Sequence, residues 1–520
     1  MVLENKLWIA QSEKNIYLQP NMANRHGLIA GATGTGKTIT LEVLAESFSA
    51  IGVPVFLADI KGDVSGIASA GIDSEGIQKR IVKFGLADKG FKLQGYPVQF
   101  WDIYQKKGFP VRATVSEMGP MLIARILELT DAQESVLETV FRVADGQGML
   151  LLDIKDLKAM LQYVGDNAAD LKGEYGSIPS QSIGAVLRKL LSLEDAGGDI
   201  FFGEPALDLS DWMRLDENGK GMINILHCAE LFLSPKLYST FLLWLLSELF
   251  ETLPEVGDLE KPKMVFFFDE AHLLFQDTPK SLITKIEQVV RLIRSKGVGI
   301  YFVTQSPTDI PDNILAQLGN RVQHALRAYS PSEQKAVKVA AETFRPNPAF
   351  KTEEAITDLG TGEALISFLD EEGRPGMVER AFILPPETLM TALDDEKRAQ
   401  HMAASVLGTK YTQAIDRESA YEILTQKVTA QAATESQEKM KEDALEQARA
   451  EVADEEKQRR EIEREVKAAA REEAAEKKAA ERAAKERQKV MTRMTSTVVN
   501  TFGREVSRSL ARGLMGMLKK

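Results

Sequence analysis

Apolar residues fall into short continuous runs for most of the chain, and only later into helical or charged periodicity. Gly27-Leu28-Ile29-Ala30, Val53 to Ala58, Val98 to Trp101, Met222 to Leu226, Met264 to Phe268, Ile300 to Val303 and Val322 to Leu326 each read as a buried strand. Helical stretches lie between them, including Ser239 to Leu253 and Leu282 to Ile293. Apolar strands alternating with helices predict an α/β fold with a mainly parallel sheet covered on both faces. A hairpin is expected near the start (Leu7 to Ala10, Asn15 to Leu18). Another is expected at Glu363 to Leu369 and Met377 to Leu384, around the turn residues Asp370 to Arg374.

Two segments break this pattern. From about Gly119 to Leu193 the periodicity turns helical, predicting an all-helical insertion that splits the core into residues 1–118 and 196–386, with the insertion at 119–195. After Pro385-Pro386 comes a helical extension, 387–434. Residues 435–489 are then dominated by Ala, Glu, Lys, Arg and Gln, without Gly or Pro. Glu463–Lys467, Glu473–Lys477 and Glu481–Lys485 stand at i,i+4 in the favourable order. Such a helix spans on the order of 80 Å. Charges interrupt its best heptad, favouring a solvated single helix or weak coiled coil over a stable zipper. Residues 490–520 repeat apolar positions every four, with arginines and lysines around them: a basic amphipathic helix. It suits docking on this chain's own core or self-association, and it also suits an anionic membrane surface, nucleic acid or a protein partner.

Candidate chemistry begins between the first buried strand and its helix. Gly31-Ala32-Thr33-Gly34-Thr35-Gly36-Lys37-Thr38 fits G-x-x-x-x-G-K-[ST] in the strand–loop–helix context that the pattern requires. Its backbone N–H groups and the helix N-terminus cradle phosphates. Lys37 is placed for the β- and γ-phosphates, and the Thr38 hydroxyl for Mg²⁺. Met264 to Phe268 carries Asp269 and Glu270 to a strand end, Asp269 for the metal's water shell and Glu270 as general base. Gln305 ends the next strand on the ligand side of the sheet. Arginine candidates for the transition-state charge are Arg291, Arg294, Arg321 and Arg327, with Arg321 and Arg294 preferred. Asp59 fits either the metal's water shell or a turn cap. ATP is favoured over GTP because no N-K-x-D base-reading motif is present.

Composition narrows the setting. The single cysteine, Cys228, excludes a disulfide framework and fits a cytoplasmic protein, and the five histidines show no metal-ligand spacing. Phe241 to Phe250 is too short to cross a bilayer, so no integral membrane segment is expected. A net charge of −12 argues against a general nucleic-acid coat protein but not against a local basic surface.

Taken together, GATGTGKT after NRHGLIA, VFLADIKGD, FFFDEAHLLF and YFVTQSPTDIP resemble the HerA–FtsK superfamily of P-loop ATPases. Within it they resemble bacterial HerA-like proteins of the YjgR type, from about Ile16 to Pro386. The resemblance implies a RecA-like core with the catalytic Glu on an additional strand, here Glu270, and a polar sensor, here Gln305. It also implies a hexameric homo-oligomeric ring with an arginine finger from a neighbour, and DNA translocation or unwinding. The β-barrel that opens archaeal HerA has no counterpart in the residues before the P-loop, a departure that puts a nuclease partnership in doubt. Three readings stay open: a DNA translocase or helicase, an ATP-driven machine acting on protein or membrane, and an ATP-dependent assembly switch.

Overall fold

The computed structural model describes residues 1–484 apart from 277 and 279. The expected amphipathic helix at 490–520, and the end of the charged helix at 485–489, lie outside the described residues.

Twelve strands form one sheet: β1 (Val2–Leu3), β2 (Lys6–Gln11), β3 (Asn15–Leu18), β4 (Gly27–Ala30), β5 (Val55–Asp59), β6 (Val98–Trp101), β7 (Ile223–His227), β8 (Met264–Phe268), β9 (Val298–Thr304), β10 (Asn320–Gln323), β11 (Glu363–Ser367) and β12 (Glu379–Ile383). Their order is β1-β2-β12-β11-β10-β4-β9-β8-β5-β7-β6, with β3 on β2. From β10 to β6 every neighbouring pair is parallel. From β10 outward to β1 every pair is antiparallel.

Burial explains the division. All residues of β4, β5, β6, β8 and β9 are buried, as strands covered on both faces must be. Side chains alternate between two cores. Phe266 and Phe268 face the helical insertion, while Val265 and Phe267 face Phe48 on the helix Lys37–Ala50. In the antiparallel wing β3 alternates buried and half-exposed positions, whereas β2 and β11 are buried over four consecutive residues.

Helices run through the insertion from Val115, earlier than the periodicity indicates. Thr114 and Glu117 form a capping box that starts the first turn there. Gly119, at φ +70°, then interrupts the helix Val115–Ile126 just before Pro120. Thr130 with Gln133 and Asp153 with Asp156 cap the helices Asp131–Gly146 and Ile154–Asp166 in the same way. The helix Ser180–Leu193 completes the packing, with Ile183, Val186 and Leu190 buried.

Residues 387–424 close the core. The backbone N–H groups of Glu387 and Thr388 donate to the buried carboxylate of Glu46, and Leu393 N–H donates to Ser65 Oγ. Tyr411 packs edge-on against Trp101 with ring centroids 5.2 Å apart. Ser419 Oγ donates to the buried Asp156 at 2.6 Å. The helix Ala420–Ala484 begins there. The chain divides into two compact units, with the boundary after Lys427. In the second unit every described residue is exposed, Val452, Ile462 and Val466 included, and Glu463 pairs with Lys467 at 2.9 Å.

His26 ties β9 to the segment before β4. Its Nδ1 accepts Ile300 N–H at 3.0 Å, and its Nε2–H donates to the Val290 carbonyl at 2.8 Å. Burial pulls its pKa down to about 4. Between that value and the ordinary histidine value the unfolded chain binds the extra proton, so this contribution to stability is lost as pH falls. We expect the stability gap between the wild type and His26→Gln to narrow by about 3 kcal/mol from about pH 7 to about pH 4. Urea midpoints at the two pH values measure it, and a constant gap rules the linkage out.

Candidate nucleotide site

β4 ends at Ala30, and the chain turns through Gly31 to Gly36 into the helix Lys37–Ala50. Two of these positions tolerate no side chain. A Cβ on Gly31 would lie 2.5 Å from His324 Cβ, and Gly36 sits at φ +115°, a conformation that favours glycine. His324 forms the rear wall of the loop. Its Nδ1–H donates to the Glu363 carbonyl at 2.9 Å, leaving Nε2 to accept the Thr40 hydroxyl at 2.8 Å. Burial pulls its pKa down to about 4, so it is neutral there. At the mouth, Thr33 and Gly34 are exposed, and nothing stands within 4 Å of a Cβ built on Gly34.

Lys37 is buried, and its ammonium donates to the carbonyls of Gly31 at 2.6 Å and Ala32 at 3.1 Å. A cation held inside its own loop by two carbonyls is poised to exchange them for phosphate oxygens. The Thr38 hydroxyl makes no hydrogen bond among the described residues and is free to take a cation.

The acids stand two strands away. β9 lies between β4 and β8, so the P-loop strand and the acid-bearing strand are separated by one additional strand. Asp269 is buried, and burial pushes its carboxyl up to about 6. Glu270 follows with φ +47° and ψ +46°, left-handed values unusual for a residue with a side chain. Such backbone strain costs on the order of 1–3 kcal/mol and clusters where a side chain must be aimed.

Three groups converge on that side chain. Lys61 Nζ lies 2.6 Å from Glu270 Oε1, Gln305 Nε2 donates to Oε2 at 3.3 Å, and His272 Nδ1 lies 3.3 Å from Oε2. Burial would raise the Glu270 carboxyl. The Lys61 ammonium, Gln305 and His272 together overcome burial and hold it below the usual carboxylate range. Thus a lysine on the loop after β5 compensates two adjacent acids after β8, which would otherwise be costly to bury together.

Asp59 caps its own turn, accepting Gly62 N–H at 2.7 Å, and burial raises it to about 7. A cavity of about 410 Å³ opens beside the loop, lined by Ala32, Thr33, Gln305, Asp309, Arg327 and Glu333 among others.

The preferred arginines are elsewhere. Arg321 donates to the carbonyls of Leu318, Thr343 and Leu315, each at 2.9 Å. Its guanidinium is consumed in tying β10 to the loops around it. Arg294 stands just before β9 starts, at the sheet edge opposite the P-loop. Of the four arginine candidates, Arg327 is the one in the cavity wall. Lys61 and His272 were not anticipated. Lys61 lies within Asp59-Ile60-Lys61-Gly62-Asp63, and the pairing of β5 with β8 brings it to Glu270.

A P-loop strand, an additional strand bearing Gln305 and a third strand leading to adjacent Asp and Glu define a P-loop ATPase of the RecA-like type. Residues 4–520 match the helicase HerA-like, C-terminal family. The chain belongs to that family. The DNA double-strand break repair helicase HerA of Sulfolobus acidocaldarius is 22% identical over 364 residues, 68% of this chain. The match spans 64% of that relative's length. Among solved structures, the bacterial conjugative coupling protein TrwBdeltaN70 superimposes with a TM-score of 0.49 at 13% identity, covering 75% of this chain and 92% of that one. VirB4 of Thermoanaerobacter pseudethanolicus gives 0.45 at 14%, covering 73% and 96%. Among the described residues no helix is long and apolar enough to cross a membrane.

Proposed function

We propose that this chain is a Mg²⁺-dependent ATP-driven motor that translocates along or unwinds DNA as a homo-oligomeric ring, hexameric by family resemblance. The observation that carries the hydrolytic part is Glu270, strained, ion-paired to Lys61 and bonded to Gln305, with one strand between it and the P-loop. The family and the helicase relative support the DNA part.

In this reading Lys37 leaves the Gly31 and Ala32 carbonyls for the phosphates. Glu270 accepts the proton of the attacking water, and Gln305 aligns that water or reports the γ-phosphate. Lys61 holds Glu270 in place until the triphosphate enters. Thr38 and Asp269 would hold Mg²⁺, which when bound neutralises charge on the β- and γ-phosphates. Because Arg321 is occupied and Arg294 faces away, transition-state charge falls to Arg327 or to a neighbouring subunit's arginine.

Steady-state ATP turnover with and without duplex and single-stranded DNA, at low salt, tests the proposal. Severalfold stimulation by either is expected. Turnover unchanged by both overturns DNA as the substrate. It would favour the second reading, an ATP-driven assembly switch acting on protein or membrane partners, for which the exposed charged helix after Val428 is the supporting observation.

A further inference from the structure

A second cavity, of about 610 Å³, opens on the helical insertion. Arg125 contributes from the end of the helix Val115–Ile126, Arg188 and Lys189 from the helix Ser180–Leu193, and Lys236 from the first turn of the helix Pro235–Thr252. Ile126 and Leu243 are part of an apolar floor. Four cations around one concavity stand out in a chain of net charge −12.

Their partners make the arrangement more telling. Other exposed basic side chains pair with acids, among them Lys106 with Glu230 and Arg417 with Glu204, as does the half-buried Lys158 with Glu194. Here Lys189 donates to the Glu128 carbonyl, and Lys236 reaches only Ser192 Oγ at 3.4 Å. Among the described residues none of the four forms an ion pair. Glu128 is the one carboxylate in the lining. Lys236 is half-buried; burial lowers its pKa, the Glu128 carboxylate opposes that shift, and Lys189 adds to it. Four cations that form no ion pair, around a single carboxylate, present a field that an external anion would satisfy. The guanidinium groups suit phosphodiester oxygens, which they can engage with two parallel hydrogen bonds. The walls are concave, as a strand requires, whereas a membrane surface demands a protruding apolar face.

We infer that the groove between the helices Val115–Ile126, Ser180–Leu193 and Pro235–Thr252 binds the phosphate backbone of a DNA strand, with Arg125, Arg188, Lys189 and Lys236 as its contacts. This rests on the DNA reading above and adds where the strand is held. The site is separate from the P-loop. Its wall, the helix Pro235–Thr252, is a core element with Leu237, Phe241 and Leu245 fully buried, so strand contacts bear on a rigid part of the motor.

The test is fluorescence anisotropy of the full chain with a labelled single strand and with a duplex, over a salt series. It compares the wild type with Arg125→Ala/Arg188→Ala. Removing two phosphate contacts is expected to weaken strand binding at least about tenfold and to flatten the log–log salt slope by about 1.4. Basal ATP turnover without DNA stays at the wild-type level. Should that basal rate fall, Arg188→Glu, at an exposed position, provides the same comparison without disturbing the fold. Unchanged affinity and slope in a variant, while the wild type binds DNA, overturns the groove and leaves the DNA reading intact. A wild type that binds neither DNA overturns both. Loss of binding to phosphatidylglycerol–phosphatidylcholine vesicles, with DNA binding intact, assigns the groove to a membrane surface instead and overturns it as a strand site.

Discussion

Glu270→Gln is expected to lower ATP turnover about 100- to 10,000-fold while nucleotide binding stays within a few-fold of wild type. Glutamine preserves the length of the side chain and its hydrogen-bonding reach but cannot accept the proton of an attacking water. Glu270 touches none of Gly31 to Thr38 and acts on Lys37 only through its charge, across β9. Phosphate release measures the first quantity, and titration with a fluorescent ATP analogue measures the second. Normal turnover in this variant would move the role of general base to another group. Weakened nucleotide binding alone would show that the Lys61–Glu270 pair shapes the pocket and does not serve the chemistry.

Lys37→Ala has the opposite signature: affinity for ATP falls by at least about 100-fold, and turnover disappears with it. The estimate follows from charge-assisted hydrogen bonds worth roughly 1.5–3 kcal/mol each, of which the ammonium makes two to carbonyls that phosphate oxygens would replace. Lys61, the other ammonium near the acids, follows β5, with β9 and β8 between it and the P-loop strand. Isothermal titration with ATP is the measurement. Retained micromolar affinity would mean that backbone N–H groups and the helix terminus suffice to hold the triphosphate.

The core was legible because strands covered on both faces must be apolar throughout. Gly27 to Ala30, Val98 to Trp101 and Met264 to Phe268 form strands with the bounds expected from those runs. Departures have local causes. The strand expected through Leu326 stops at Gln323, since His324 turns its ring to Thr40 and the Glu363 carbonyl. The helix Glu75–Phe84 is an element beyond those expected; Ser74 caps its start, Gly85 at φ +58° ends it, and only Ile77 and Phe84 are buried.

The site divides along the same line. The P-loop and Asp269–Glu270 are contiguous motifs, readable because their chemistry depends on spacing within one loop. Lys61 and His324 act through contacts between strands distant in sequence, which no local pattern records. Where the arginines stand was hidden for a related reason. A guanidinium in isolation gives no sign of whether carbonyls will claim it, as three carbonyls claim Arg321.

The contacts made by residues 387–424 determine where the chain can be divided. A fragment ending with the sheet at Ile383 would leave the Glu46 carboxylate buried without the two backbone donors that satisfy it, and Asp156 without Ser419. It would also uncover the Trp101 face that Tyr411 shields. The first compact unit, residues 1–427, keeps all of these contacts, and the described residues after it are exposed. For expression, proteolysis or crystallisation, the sheet by itself is therefore an incomplete piece.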